Sequence, residues 1–347
     1  MMFQKKTRGI LLSLIFIFIT FFGIFLCLLP ICQSKNLSIV EIFNYFLYST
    51  ITSPSGLAQT LMKTTPLLIT SLGLCIAFKA RVWNIGAEGQ IAFGVIASLG
   101  TCLFLPLPGI IKIILAIVFS LLLGAAWGGV AGYLKSRWSV PEIPITLMQN
   151  FVALALMDFL IAGPWLSSQP GYAHTDPLPL DARLPYLAYP LNSSFLLGII
   201  LVPIVFWIMK RSVFGFQLKA TGYNPIAANY GGINVKKIIV MSMFVSGGIC
   251  ALAGASLVLG EFFFGVKGVT GNYGFYAIVS TLIARLDPKL TPFTSFFVAL
   301  VLVGTNALTL KGIPGPFVHL SVGILFIGAV LIFLLEKVIE SGGEKNV

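Results

Sequence analysis

Apolar runs close to twenty residues long recur along the chain, separated by short polar stretches rich in Gly, Pro, Asn and basic residues. They show neither the alternation of a half-buried strand nor the single apolar stripe of a surface helix. A run of about 20 apolar residues is long enough to cross the hydrocarbon of a bilayer as a helix. Ten stretches fit this pattern: 10–31, 57–78, 85–105, 111–134, 142–163, 192–209, 238–260, 272–284, 291–310 and 316–335. The predicted fold is therefore all-α, a polytopic transmembrane helical bundle of 8–10 spans, with residues 1–347 forming a single transmembrane domain. The eighth stretch is short and flanked by glycine, which predicts a broken or re-entrant piece. The N-terminal segment MMFQKKTRG and the apolar run after it superficially resemble a signal peptide. That run is too long and lacks a small-residue cleavage site, so it is read as a retained first helix.

Charge fixes the expected orientation. A cytoplasmic N-terminus places Lys5, Lys6, Arg8, Lys79, Arg81, Lys135, Arg137, Lys210, Arg211, Lys219, Lys236, Lys237, Arg285, Lys289, Lys337 and Lys345 inside, 16 of the 22 basic residues. The opposite orientation leaves six inside, so both termini are expected in the cytoplasm. Only 10% of residues are charged and mean hydropathy is +0.98, too apolar for the surface of a soluble protein of this length. The net charge of +11 lies at span ends, where lipid and topology account for it, and nucleic acid is excluded as a partner. Cys27, Cys75, Cys102 and Cys250 lie in apolar spans and Cys32 at the end of one; none has metal-ligand or disulfide spacing.

Two polar connections stand out. Lys210–Lys237 carries five basic residues and no acid, with turn chemistry at Gly222 and Asn224-Pro225, a small-residue helical piece at Ile226–Tyr230, and a Gly231-Gly232 stop. A short cytoplasmic element of this kind is a surface for a soluble partner. On the external side, Pro164–Leu191 holds six prolines together with His174, Asp176 and Asp181. It reads equally as a solvated loop or as a docking surface. The other external segment, Cys32–Gly56, carries Phe43, Tyr45, Phe46 and Tyr48 and predicts an amphipathic interfacial helix. Gly124, Gly128 and Gly132 on the fourth span, and Ser246/Gly247, Ala251 and Ala255 on the seventh, form small-residue faces that admit another helix, from this chain or a second one.

Polar side chains at membrane depth are costly and are functional candidates by default. The densest set is Trp83-Asn84-Ile85-Gly86-Ala87-Glu88-Gly89-Gln90. Asn84, Glu88 and Gln90 there are read as lining a cavity or gate, against the blander alternative of Asn84 capping a helix whose dipole Glu88 faces. On the fifth span, Thr146, Gln149, Asn150 and Ala153 share one helical face, which suits either hydrogen bonding to a polar solute or interhelical contact. Asn306 and Thr305 are weaker candidates of the same kind. Asn84-Ile85-Gly86 and Asn272-Tyr273-Gly274 echo one another five spans apart, on opposite membrane sides in this topology, as an inverted repeat would have them. No phosphate-binding loop GxxxxGK[ST], HExxH or GxSxG occurs, so neither an intrinsic ATPase nor a membrane hydrolase is indicated, and no catalytic residue is assigned.

Three stretches together resemble the permease subunit of bacterial ABC importers of the ribose/nucleoside branch, particularly nucleoside systems served by a BMP-type binding protein. They are Thr65-Pro66-Leu67 through Gln90, Ala220 through Val235, and Gly274-Phe275-Tyr276-Ala277-Ile278 with the small-residue span that follows. The likeness covers about residues 57–310, and Asn-Ile-Gly-x-Glu-Gly-Gln is its most specific part. The resemblance implies a permease that pairs with a copy or a homologue, binds two cytoplasmic ATPases that use ATP and Mg, and receives solute from an extracytoplasmic binding protein. It implies location in the bacterial inner membrane and no cofactor bound by this chain. The ATPase would dock on the loop carrying Gly222, Asn224, Pro225, Ala227, Ala228, Gly231, Gly232 and Ile233. The solute implied is a nucleoside, with a ribose-type sugar as the alternative and an ion-coupled secondary transporter as the competing class. The fifth span reads Thr146-Leu147-Met148-Gln149-Asn150 where the family pattern resembles Thr-x-Met-Leu-Asn, and Phe275-Tyr276 stands where an acid commonly follows the aromatic residue.

Overall fold

The computed structural model describes residues 22–24, 26–30, 32–33 and 38–343, with side chains as far as Leu331. The predicted first span, 10–31, lies largely outside the described residues, as do Lys5, Lys6, Arg8 and Lys345. The described elements, in chain order, are α1 (Ile39–Leu47), α2 (Pro54–Lys79), α3 (Ala87–Phe104), α4 (Gly109–Trp138), α5 (Glu142–Ala162), α6 (Ser194–Arg211), α7 (Val213–Tyr223) and α8 (Pro225–Tyr230), then α9 (Val235–Leu257), α10 (Tyr273–Ile283), α11 (Thr291–Leu308) and α12 (Pro316–Gly343). A π-helical segment, Tyr48–Thr52, leads into α2, and a second, Val258–Phe262, continues α9. Among the described residues seven helices are long and apolar enough to cross a membrane, and Tyr273–Ile283 and Pro316–Leu331 are shorter apolar helices. The fold is a polytopic helical bundle. Every predicted span from the second onward coincides with a helix. The eighth is 11 residues long, about 16 Å at 1.5 Å per residue, and so covers about half of a bilayer core.

The chain divides into two compact units, one formed by the residues up to Thr60 and from Phe297 onward, the other by Leu61–Phe296. In the first, α1 is amphipathic as its sequence predicts. Ile42 and Phe46 are buried while Phe43 and Tyr48 stay exposed, and the Phe46 ring fills the space where a side chain on Gly304 of α11 would stand. The Thr60 hydroxyl donates to the Thr50 carbonyl at 2.9 Å, joining α2 to the π-helical segment.

In the second unit α4, α9 and α3 pack most extensively, with α5 against α3. The two small-residue faces recognised in the sequence are each other's partners within this one chain. A Cβ on Gly124 would stand 2.2 Å from the Ala251 Cβ, and one on Gly247 would stand 2.4 Å from the Gly124 carbonyl oxygen. Backbone therefore meets backbone, and dispersion over that contact holds helices together where lipid removes the hydrophobic drive. Ser98 and Ser120 add a buried hydroxyl contact of 3.1 Å between α3 and α4.

Pro164–Leu191 holds only short regular pieces among its prolines. It forms a two-stranded hairpin, β1 (Tyr186–Ala188) with β2 (Leu191–Asn192), and isolated bridges pair Leu166 with Thr175 and His174 with Val266. The Leu178 amide donates to the Phe263 carbonyl at 2.7 Å, so this segment is bound to the loop between α9 and α10. At the basic ends of the helices, Lys135 pairs with Glu142 at 2.5 Å and Lys210 with Asp287 at 3.7 Å.

Gly247→Leu is expected to remove folded protein from the membrane, because the side chain meets backbone that cannot yield and overpacking costs about 3 kcal/mol. Val130→Leu on an exposed face of α4 should be tolerated. The yield of monodisperse protein after detergent extraction distinguishes the two.

Candidate functional site

The site is built around a chain reversal at the end of α2. The Val82 amide donates to the Ala77 carbonyl and Arg81 takes a left-handed conformation, φ 55°, which stops the helix. Residues 82–86 then turn back into the protein and α3 begins at Ala87. Asn84 and Gln90 form a reciprocal amide pair, each side-chain NH2 donating to the other's oxygen at 3.0 Å. Asn84 also donates to the Ser246 hydroxyl on α9 at 2.9 Å and accepts from the Gly86 amide at 3.1 Å. The Asn150 side chain holds the same turn from α5, donating to the Ile85 carbonyl at 2.9 Å and accepting from the Gly89 amide at 2.8 Å. Glu142 accepts from the Trp83 amide at 3.2 Å. Asn84, Gln90 and Asn150 are thus buried and bonded within the protein, and the turn they stitch is held from α9 and α5 at once.

Glu88 joins this turn to the half-length helix α10. The residue is 1% exposed, and its two carboxylate oxygens accept the Asn272 amide at 3.0 Å and the Gly274 amide at 2.7 Å. These are N-terminal donors of α10 that have no partner inside their own helix, and an anion there also meets the positive end of the helix dipole. Gly274 permits the approach, since a Cβ would stand 2.3 Å from the Glu88 amide nitrogen. The echo Asn84-Ile85-Gly86 and Asn272-Tyr273-Gly274 therefore lies at one place, where the sequence topology puts the two tripeptides on opposite membrane sides. Two helices begin there, and their N-termini meet over a shared carboxylate. Asn84 does not cap α3, whose preceding residue is Gly86, and Glu88 serves the other helix rather than its own.

Gln149 donates to the Trp127 carbonyl at 3.0 Å, while its Oε1 is buried without a partner. The Trp127 ring lies against Phe93, centroids 4.6 Å apart. Asn306 is exposed on α11 in the other unit. Asp158 lies four residues from the end of α5, 3.9 Å from Lys267. A second polar group, overlooked in the sequence because its members are far apart, joins Lys63 of α2 to Glu261.

The basic connection folds into α7 and α8. Asn224 caps α8, its side chain accepting the Ile226 and Ala227 amides at 3.0 Å, with Pro225 at the first helical position. Gly231 follows the helix and Gly232 has φ 83°. Ala228 is buried, but Tyr223, Ile226 and Tyr230 are 78%, 70% and 89% exposed. Ile226, Tyr230 and Ile233 line an open groove with Pro225, Asn229 and Lys236. Gly222 is helical rather than a turn residue. A Cβ there would stand 2.2 Å from the Lys79 carbonyl oxygen, so α7 rests on the last turn of α2, immediately before the chain reversal.

Residues 56–335 match the family model described as branched-chain amino acid transport system / permease component. The chain is 30% identical to the guanosine ABC transporter permease protein NupP of Bacillus subtilis, over 82% of this chain and 85% of that protein. It is 26% identical to the nucleoside ABC transporter permease protein NupB of Lactococcus lactis subsp. cremoris, over 96% and 94%. It is also 26% identical to the glucose ABC transporter permease protein TsgB13 of Haloferax volcanii, over 87% and 82%.

Replacing Glu88 by Leu leaves the buried Gly274 amide and the part-buried Asn272 amide without an acceptor, the buried one costing about 1–3 kcal/mol, and should lower the melting temperature of the purified protein. Glu88→Gln retains one acceptor oxygen and should fall between Leu and wild type. Equal melting temperatures for all three would show that the carboxylate does not hold α10.

Proposed function

The chain belongs to the branched-chain amino acid transport system / permease component family, and from that premise we propose that it is the membrane-spanning subunit of an ATP-driven importer that carries a nucleoside into the cell. The relatives that transport guanosine and other nucleosides support that solute. A sugar remains the second reading because a glucose permease is about as similar as the nucleoside permease NupB. On the proposed reading the chain lies in the cytoplasmic membrane with both termini inside. It pairs with a second permease and takes solute from an external binding protein. The ATPase subunits bind and hydrolyse ATP with Mg; this chain carries no phosphate-binding loop.

The observation that carries the mechanism is the contact of Gly222 with Lys79. An ATPase seated on α8 would cover Ile226 and Tyr230, whose exposure is otherwise unfavourable for apolar side chains next to a basic loop. Movement of α8 would pass through Asn224 to α7, and from Gly222 to the end of α2. The next residues, 80–86, lead into the buried turn held by Asn84, Gln90 and Asn150, and then to Glu88 and α10. A displacement at the cytoplasmic surface thereby reaches the junction of two helix N-termini at membrane depth, an element able to take two discrete arrangements. Ion coupling is a poor fit to the same geometry. Both oxygens of Glu88 are occupied by backbone donors, and Asp158 lies near a helix end.

Cells expressing the whole transporter should take up radiolabelled guanosine or uridine only when this chain is present. Uptake should stop on ATP depletion and persist with an uncoupler; collapse with the ion gradient at constant ATP would overturn the ABC mechanism. Two variants separate docking from transmission. Ile226→Asp should abolish co-purification of the ATPase, whereas Asn84→Ala in the buried turn should retain it and reduce uptake at least about tenfold. Loss of co-purification in Asn84→Ala alone would reverse those roles.

A further inference from the structure

One polar cluster within the spanning segments belongs neither to the Glu88 junction nor to the coupling helix. Lys63 on α2 donates to Glu261 in the π-helical continuation of α9. The Lys63 ammonium lies 5.7 Å from the centre of the Phe262 ring and 5.9 Å from that of Tyr273, both within cation–π range. Lys63 is ten residues into α2, about 14 Å from its start. The side chains of Lys63 and Glu261 are 26% and 11% exposed. Asn272, at the tip of α10, is exposed, with Tyr276 half-buried one turn further on. Charge at such depth is stable only against protein or water, and the pair meets that condition through its own contact while keeping part of each side chain accessible. Tyr273 ties the cluster to the junction, because it lies between Asn272 and Gly274, whose amides are the two donors on Glu88.

We propose that Lys63, Glu261, Phe262 and Asn272 form a solute-recognition station that takes the base of an uncharged nucleoside; this rests on the nucleoside-importer reading above. The ion pair presents a donor and an acceptor side by side with no net charge, matching the donor and acceptor edge of a heterocyclic base. Phe262 supplies an apolar face for its ring, and stacking of a base on an aromatic side chain is favourable without depending on base identity. The Asn272 side-chain amide, hydrogen-bonded to Tyr276, stands exposed beside Tyr273 at the edge of this group. A nucleotide brings anionic charge that competes with Glu261 for Lys63, and is excluded. A hexose satisfies the polar groups but leaves Phe262 without a planar partner. The occupant of this station leans on the residue whose backbone amide holds Glu88, so filling it bears directly on the junction that the ATPases move.

The test is photolabelling of the complete transporter in membrane vesicles with radiolabelled 8-azidoguanosine, followed by peptide mapping, alongside guanosine uptake by the same vesicles. Label is expected in the 261–276 segment, competed by guanosine but not by guanosine monophosphate, glucose or leucine. The Lys63→Gln/Glu261→Gln double variant should reduce it about tenfold or more, since hydrogen bonds to charged groups are being lost. If that variant does not reach the membrane, Lys63→Glu/Glu261→Lys keeps the pair; membrane level should recover while the ratio of guanosine to uridine transport changes. Label elsewhere, or unchanged labelling and selectivity in these variants, overturns the station while guanosine uptake by wild type stands. Absence of guanosine uptake by wild-type vesicles overturns the nucleoside reading itself, and with it the occupant proposed here.

Discussion

A backbone amide inside a bilayer must find an acceptor in the protein, because the hydrocarbon supplies none. Most spanning helices meet this requirement internally and place their unpaired ends in water. α10 begins inside the protein at buried Tyr273 and Gly274, so its first donors, that of Gly274 above all, carry a cost of burial. Glu88 removes that cost by accepting two of them, from a position in the first turn of another helix that starts at the same place. A carboxylate suits this position because it is the group that both accepts two bonds and complements the positive ends of helix dipoles. The interrupted backbone, and hence any movement of α10 relative to α3, depends on that contact being available.

The surroundings are consistent with a junction held in one arrangement rather than left loose. Asn84 reaches Gln90 and Ser246, and Asn150 bonds to the backbone on both sides of Gly86. These bonds require α9 and α5 to come close to α3, and α9 in turn comes close to α4 because small residues line both faces. The glycine faces and the amide network are therefore parts of one packing solution. Removing bulk at Gly124 and Gly247 brings polar side chains within bonding distance of a turn that otherwise has no partners.

The spans were legible because their signal is local. Eighteen or more apolar residues in succession have one structural outcome in lipid, so α2 to α6, α9 and α11 lie where hydropathy puts them. The shortness of α10 was legible for the same reason. What could not be read was pairing at long range. Glu88 and Gly274 are 186 residues apart, and the tripeptide echo showed that the two places were alike without showing that they touched. Lys63 and Glu261 are single charges at opposite ends of the unit's sequence, each unremarkable until the fold brings them together. Gly222 was misjudged because glycine next to Asn-Pro has the local signature of a turn; only the Lys79 carbonyl, more than 140 positions away, explains why a helix needs glycine there. Asn224 and Pro225, whose local roles depend only on the Ile226 and Ala227 amides, start α8 where the turn chemistry puts a helix boundary.

The arrangement also bears on why ATP rather than an ion gradient suits this protein. An ion-coupled carrier needs a buried carboxylate free to exchange a proton or cation, and the deeply buried carboxylate Glu88 is committed to backbone amides. A committed carboxylate can instead act as a mechanical joint, changing energy steeply with small displacements of the two helices it holds. Such a joint needs a push from outside itself, and on the proposed reading the packing of α7 at Gly222 on the end of α2 would supply one. The residues that would recognise solute, Lys63, Glu261 and Asn272, adjoin the same joint from the other side. Solute and ATPase would then act on one interaction from opposite ends, which is the minimum that coupling between two sites requires.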